Sequence, residues 1–328
     1  MTGEFDIIAR YFAPLSKPDD GSFGLRDDAA LLTNGDLVVT KDVLVEDVHF
    51  RKKDAKSLVA RKALRVNLSD LAAKGARPIG YFLGCVWPSN VKEADIEAFA
   101  EGLRTDQDAY KISLLGGDTT RHQAKGAPLI ISVTMIGQPG SAGLIRRSGA
   151  SAGDDVYVTG SIGDAGLGLS LLEGEFKTDA AAKKYLTGRY QLPAPRLSFG
   201  GALNGLASAA IDISDGLLAD ADHIAAASGV RLDVEAARIP LSAAAKNWAE
   251  ADGAMDEAIA ELCAFGDDYE ILFTAPAVRR RSIEMASQVT KTPVARIGSV
   301  ARGEGVRLID ENGGEIDFDD AGFDHFAK

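Results

Sequence analysis

Cysteine is scarce in this chain. Cys85 and Cys263 stand far apart, without Cys-x-x-Cys spacing, which excludes a disulfide scaffold and a cysteine-rich zinc site and fits a reducing compartment. The four histidines include no His-Glu-x-x-His pattern, so no softer ligand cluster competes for a metal. Long apolar runs are missing too, since stretches such as Leu129–Val133 are too short to span a bilayer. The opening Met1–Pro14 is acidic and aromatic, without the basic start and apolar stretch of a signal peptide. A soluble, cytoplasmic protein is expected. Basic residues are outnumbered, 36 Lys and Arg against 48 Asp and Glu for a net charge of −12, so nucleic acid is not expected as a partner, and the short apolar runs give no reason to expect a membrane.

Several standard signatures are also absent. There is no Gly-x-x-x-x-Gly-Lys-Ser/Thr phosphate loop, so any ATP must be held another way. Gly160, Gly163, Gly166 and Gly168 follow a strand without Gly-x-Gly-x-x-Gly spacing, and read either as a close-approach turn or as packing at a helix start. No Gly-x-Ser-x-Gly elbow occurs, and neither cysteine has a nearby histidine to activate it.

What is present is a globular chain: 46% hydrophobic and 26% charged residues lie in the ordinary range, and 328 residues suit about two domains. Ile7, Ile8, Tyr11 and Phe12 at helical spacing predict a short helix over Glu4–Phe12. Ala29–Leu32 and Leu37–Val39 predict a hairpin about Asn34-Gly35. Leu58, Ala60, Leu64, Leu68, Leu71 and Ala72 predict a long helix over Lys56–Lys74, stopped by Gly75 and Pro78. Strands over Tyr81–Trp87, Ile112–Leu115 and Leu129–Gly137, with a helix over Glu93–Asp108, complete the first half. A Gly/Ser/Ala-rich stretch near 138–154 predicts a boundary, hence domains 1–140 and 141–328. Beyond it, strands are predicted near residues 155–159, 210–213, 232–234, 269–274, 295–300 and 306–309, with helices near 165–172, 217–227 and 278–288. The interleaving lacks a regular strand–helix–strand beat, which predicts α+β rather than a doubly wound sheet.

The acids carry the chemistry. They recur at predicted strand ends or beside glycine: Asp27-Asp28, Asp42, Asp118 after Gly116-Gly117, and Asp212 with Asp215. Carboxylates on such rigid supports can converge on a cleft, and hard Mg²⁺ takes oxygen ligands together with substrate phosphates. Taken singly, most have an ordinary reading, although Asp212 and Asp215, flanking a strand-to-helix junction at i, i+3, are less easily dismissed. Asp27-Asp28 suits a turn, Asp118-Thr119-Thr120 a helix cap, Asp70 a solvated helix position, and Asp267-Asp268-Tyr269-Glu270 an acidic turn.

Taken in order, the segments Arg26–Ala30, Asp42–Phe50, Asn67–Ala76, Gly116–Thr120, Arg147–Ala150, Asp212–Leu217 and Gly266–Glu270 resemble the thiamine-monophosphate kinase family along essentially the whole chain. The resemblance implies a two-domain fold shared with aminoimidazole-ribonucleotide synthetase, a homodimer paired through the N-terminal domains, and a cleft that takes ATP and thiamine monophosphate with several Mg²⁺ ions. K⁺ is a further candidate cation. It implies Asp28, Thr40, Asp42, Asp70, Asp118, Asp212 and Asp215 as metal ligands, with Lys41 contributing through its backbone. Tyr110, Gly117, Asp118, Arg147 and Ser214 would contact ATP, and His49, Asp267 and Asp320 the acceptor. The chain departs from the family at Arg26, where glycine is usual, at Lys41, where threonine is common, and at Asp320, where an aromatic residue is frequent and Phe318 or Phe323 would substitute. Another ATP-dependent enzyme of the same fold is the alternative, although residues 1–20 lack the cysteine that a selenophosphate synthetase needs. A non-catalytic cation- or nucleotide-binding module is the alternative from another class.

Overall fold

The predicted long helix forms α1 (Lys56–Ala73), and it is covered on both sides. In the computed structural model, which describes residues 8–9, 13–15, 21–32, 36–252, 255–318 and 322, α1 packs on β2 (Leu37–Val45), β3 (Arg77–Trp87) and β5 (Ile130–Gln138) of one sheet. It also packs on β7 (Ala209–Asp212) and β9 (Ile271–Pro276) of another. Its buried residues therefore include Lys62, Asn67 and Ser69 as well as Leu64, Leu68 and Leu71. A helix between two layers has no broad solvent face. Asp70 is accordingly half-buried, which corrects its reading as a solvated position.

The first sheet has the order β1-β2-β5-β3-β4, where β1 is Ala30–Leu32 and β4 is Ser113–Arg121. Its pairs are antiparallel except β3 with β4. The hairpin pairs Leu32 with Leu37; its turn residues 33–35 lie outside the described residues, as does most of the segment predicted as a helix over Glu4–Phe12. The strand predicted over Ile112–Leu115 continues through Gly116-Gly117-Asp118 to Arg121. Glycine permits this at Gly117, whose φ is +155° and whose Cβ would lie 1.9 Å from the Leu83 carbonyl oxygen. Helix α2 (Glu93–Tyr110) packs beside α1.

The second sheet has the order β12-β11-β8-β10-β6-β9-β7, built from β6 (Asp154–Thr159), β8 (Arg231–Glu235), β10 (Val294–Ala301), β11 (Gly305–Ile309) and β12 (Glu315–Ile316) with β7 and β9. Only β8 and β11 run parallel among its described pairs. Helices α3 (Asp164–Glu173), α6 (Leu217–Ser228) and α9 (Arg280–Thr290) follow the sequence pattern. Four others escaped it: α4 (Ala180–Gln191), α5 (Leu197–Leu203), α7 (Ala243–Asp252) and α8 (Met255–Ala264). For two of them the reason is a thin apolar stripe: α4 buries just Leu186 and Tyr190, and α7 contributes the alanines Ala245 and Ala249 to its cluster. Two mixed sheets with flanking helices make the α+β fold expected.

Candidate active site

Strands and one helix bring five predicted ligands to one place; Asp42, expected at a strand end, lies inside β2, which runs on to Val45. Asp28 precedes β1, Thr40 and Asp42 lie on β2, Asp70 on α1, and Asp212 ends β7. Carboxylate oxygens of Asp28, Asp70 and Asp212 all lie within 4.8 Å of one another. Asp42 and Asp70 share a hydrogen bond, and Thr40 Oγ1 donates to Asp70 while lying 3.2 Å from the Asp28 carbonyl oxygen. Ser69, buried on α1, stands beside Asp212.

Crowding and desolvation shape the charge. Burial, reinforced by the Asp28 charge, pushes Asp42 up to about 6 against its hydrogen bond with Asp70. The same two causes push Asp212 up to about 7. Burial, and then the neighbouring Asp42, Asp212 and Asp28, raise Asp70 well above the carboxylate range. Close acids that hold protons until a cation arrives, offering only hard oxygen donors, fit Mg²⁺.

Two cations are built against this cluster. Lys74 is fully buried; its Nζ reaches Asp27 Oδ1 at 2.8 Å and Asp28 Oδ2 at 2.5 Å and donates to the Ala210 carbonyl at 2.9 Å. Arg147 Nε donates to Asp28 Oδ1 at 2.8 Å, and its backbone N–H donates to Asp27 Oδ2 at 3.1 Å. Burial acts upward on Asp28 as the largest single effect, yet Arg147 and Lys74 together hold it down at about 2.

Beyond β7 the chain turns sharply into α6. Asp220 Oδ2 accepts the backbone N–H groups of Ser214, Asp215 and Gly216 at 3.0, 3.1 and 3.3 Å, so an acid one turn into the helix fixes the junction. Asp215 groups with Asp220 and His223 rather than with Asp212. Burial, and then Arg147, push the His223 imidazole down to about 4.

The acidic segment before β9 divides its labour. Asp268 caps α3 by accepting from Gly163 N–H at 2.6 Å and Ala165 N–H at 3.2 Å. Glu270 accepts from Arg189, Arg196 and Thr159. Asp267, at φ +68°, is the one of these three acids that lines a cavity of about 590 Å³, together with Asp42, His49, Tyr190, Ser214 and Asp215. His49 Nδ1 accepts from Val45 N–H at 3.1 Å, leaving Nε2 to carry the proton of a neutral ring. The glycines after β6 serve packing: a Cβ on Gly160 would lie 2.0 Å from Glu270 Oε1, and one on Gly166 would lie 2.3 Å from the Phe265 ring.

Other expected residues lie elsewhere. Gly117 and Asp118 are exposed on β4, the Asp118 carboxylate accepting from Thr119 N–H at 2.8 Å; Asp118 joins neither acid group among the described residues. Tyr110 lines a separate cavity of about 920 Å³ with Gly75, Arg196 and Asn204. The Lys41 side chain donates to Ser132. Phe318 packs against the second core, whereas Asp320 and Phe323 lie outside the described residues. Lys62, Lys74, Ser69 and Asp220 were not foreseen, because a polar residue in a helix looks the same in sequence whether it faces water or a buried partner.

Comparison with known proteins identifies both halves of the chain. Residues 26–138 match the AIR synthase related protein N-terminal domain, and residues 151–311 the AIR synthase related protein C-terminal domain. The chain is 44% identical to the thiamine-monophosphate kinase of Caulobacter vibrioides over 92% of its own length and 85% of that protein's. It is 38% identical to the thiamine-monophosphate kinase of Escherichia coli over 99% and 98% of the two chains. A solved structure, AaThiL complexed with AMPPCP and TMP, superposes with a TM-score of 0.84 at 31% identity, over 99% of this chain and 97% of that one. With this identity along nearly its whole length, and with both AIR synthase related domains present, the chain belongs to the thiamine-monophosphate kinase family.

Proposed function

We propose that this protein transfers the γ-phosphoryl group of ATP to the phosphate of thiamine monophosphate, giving thiamine diphosphate and ADP. The observation that carries the reading is the junction of a carboxylate cluster with a cavity of about 590 Å³ through Asp42, which belongs to both. The bond from the γ-phosphorus to the ADP oxygen breaks as an acceptor phosphate oxygen bonds to that phosphorus in line. That acceptor oxygen is already ionised near neutral pH, so no general base is required, in keeping with a site rich in aspartate. Asp28, Thr40, Asp42, Asp70 and Asp212 would hold Mg²⁺, with Asp215 and Asp118 as further ligands and Lys41 through its carbonyl. Bound Mg²⁺ supplies charge neutralisation on the phosphates. Arg147 then faces nucleotide phosphate, Ser214 lies at the cavity wall between the two substrates, and His49 and Asp267 orient the acceptor. Tyr110, Gly117 and Asp320 complete the binding set, and K⁺ is a candidate auxiliary ion.

Residues 1–140 carry most of these ligands and residues 141–328 close the site. A homodimer is supported by Val43, Phe82, Leu114 and Leu115, which are exposed on the first sheet. Two buried free cysteines suit the cytoplasm, and among the described residues no helix is long and apolar enough to cross a membrane. The test is incubation with Mg·ATP and either thiamine monophosphate or thiamine, with products separated by chromatography. Thiamine diphosphate should form from the monophosphate alone; one-step formation from thiamine would mean pyrophosphoryl transfer and end this reading.

A further inference from the structure

Lys62 lies on α1 with its side chain 2% exposed, an expensive place for a charge unless it is fully partnered. Three partners meet it. Its Nζ donates to the His49 carbonyl oxygen at 2.8 Å and to Asp267 Oδ2 at 2.8 Å, and lies 4.0 Å from the centre of the Tyr190 ring. His49 belongs to the loop after β2, Asp267 to the segment before β9, and Tyr190 to the end of α4. All three line the cavity that Asp42 shares with the acid cluster, and Lys62 stands behind them. We infer that Lys62 is a positioning residue for the acceptor: one buried ammonium locks the His49, Asp267 and Tyr190 walls into register and so sets the affinity for thiamine monophosphate.

Two features favour this role over simple packing. Asp267 occupies a left-handed conformation that is uncommon for residues with a side chain. Its backbone N–H is tied to the Ser214 carbonyl at 2.8 Å, so the Lys62 contact fixes the remaining freedom, that of the side chain. The second feature is charge. An unpaired Asp267 would put negative charge on a wall that receives a phosphate-bearing acceptor; the ammonium offsets it.

The inference rests on the proposed activity, and the experiment separates the two. Wild type, Lys62→Met and Lys62→Arg are assayed with each substrate varied in turn, and thermal stability is recorded alongside. Lys62→Met should raise the KM for thiamine monophosphate about tenfold or more while the KM for ATP and kcat stay within about twofold. Lys62→Arg retains charge, but a planar guanidinium cannot occupy the point that meets both oxygens; it should raise the same KM by a smaller factor. Paired with Asp267→Ala, Lys62→Met should add little further to the acceptor KM, as expected of groups acting together. A lowered melting temperature with both KM values unchanged, or an equal rise in both, overturns the assignment. If Lys62→Met fails to fold, Lys62→Arg decides, and a wild-type acceptor KM in that variant overturns it. Wild-type protein that turns over no thiamine monophosphate overturns the functional reading itself, and the Lys62 assignment with it, before any variant is compared.

Discussion

Lys74 Nζ and Asp28 Oδ2 meet at 2.5 Å in a place from which solvent is excluded, with Asp27 on the same ammonium. Breaking such a pair from one side strands charge in a poorly solvated setting. Lys74→Met should therefore destabilise the metal-free protein by about 3–5 kcal/mol, measured by urea unfolding in chelator. Added Mg²⁺ should restore part of the loss, because it supplies positive charge at the same carboxylates. A loss below about 1 kcal/mol would mean that water reaches this pair.

The raised acids give the stability a definite pH dependence. Asp42 titrates at about 6 and Asp212 at about 7 in the folded chain, against roughly 3.9 when unfolded. Between those values the folded state binds more protons than the unfolded state, so metal-free stability should fall as pH rises from about 4 to about 7. Mg²⁺ displaces these protons, and its stabilising increment should be larger at pH 8 than at pH 5. Below this window the sign reverses: Asp155, held at about 2 mainly by hydrogen bonds from Arg280, contributes stability that is lost as pH falls towards 2. Melts at each pH with chelator or Mg²⁺ test both slopes, and an equal Mg²⁺ increment at pH 5 and pH 8 would reject the proton displacement.

The fold and site were legible to different depths. Period and punctuation located α1, β5 and α6 closely, since Leu64, Leu68 and Leu71 recur on one stripe and Gly75 ends the helix. Helices α4 and α7 were hidden because alanine gives a helix little apolar contrast. Acids at strand ends pointed to Asp28, Asp42 and Asp212, but nothing in the sequence distinguishes Asp267 from Asp268 and Glu270. Their division between cavity, helix cap and arginine pair depends on which way a backbone with positive φ at Asp267 and Tyr269 turns. Lys62 and Lys74 were invisible for a related reason: their partners lie far away in sequence.

Gly200 tests the seam that brings the two sheets to the site. A Cβ there would lie 2.0 Å from the Ala72 carbonyl oxygen, where α5 crosses the end of α1. Backbone cannot yield as a flexible side chain can, so Gly200→Ala should destabilise by about 1–3 kcal/mol and weaken turnover by displacing Asp70 and Lys74. Unchanged stability, read by thermal unfolding, would show that α5 can slide.

Asp70 and Asp118 should separate in stability while agreeing in chemistry. Asp70 stands among three other acids in a desolvated cluster, so Asp70→Asn removes repulsion and should stabilise the metal-free protein at pH 8 by about 0.5–2 kcal/mol. Asp118 is exposed, with its carboxylate on the neighbouring Thr119 N–H, and Asp118→Asn should leave stability within about 0.5 kcal/mol of wild type. If both are metal ligands, each variant should nevertheless lose turnover by about two orders of magnitude. Unfolding in chelator reads the first property, and single-turnover phosphoryl transfer with saturating Mg·ATP reads the second. Normal turnover in Asp118→Asn would remove it from the metal set and leave it as an exposed strand residue bonded to the neighbouring N–H. A destabilised Asp70→Asn would show instead that its hydrogen bonds with Thr40 and Asp42 outweigh the crowding of charge.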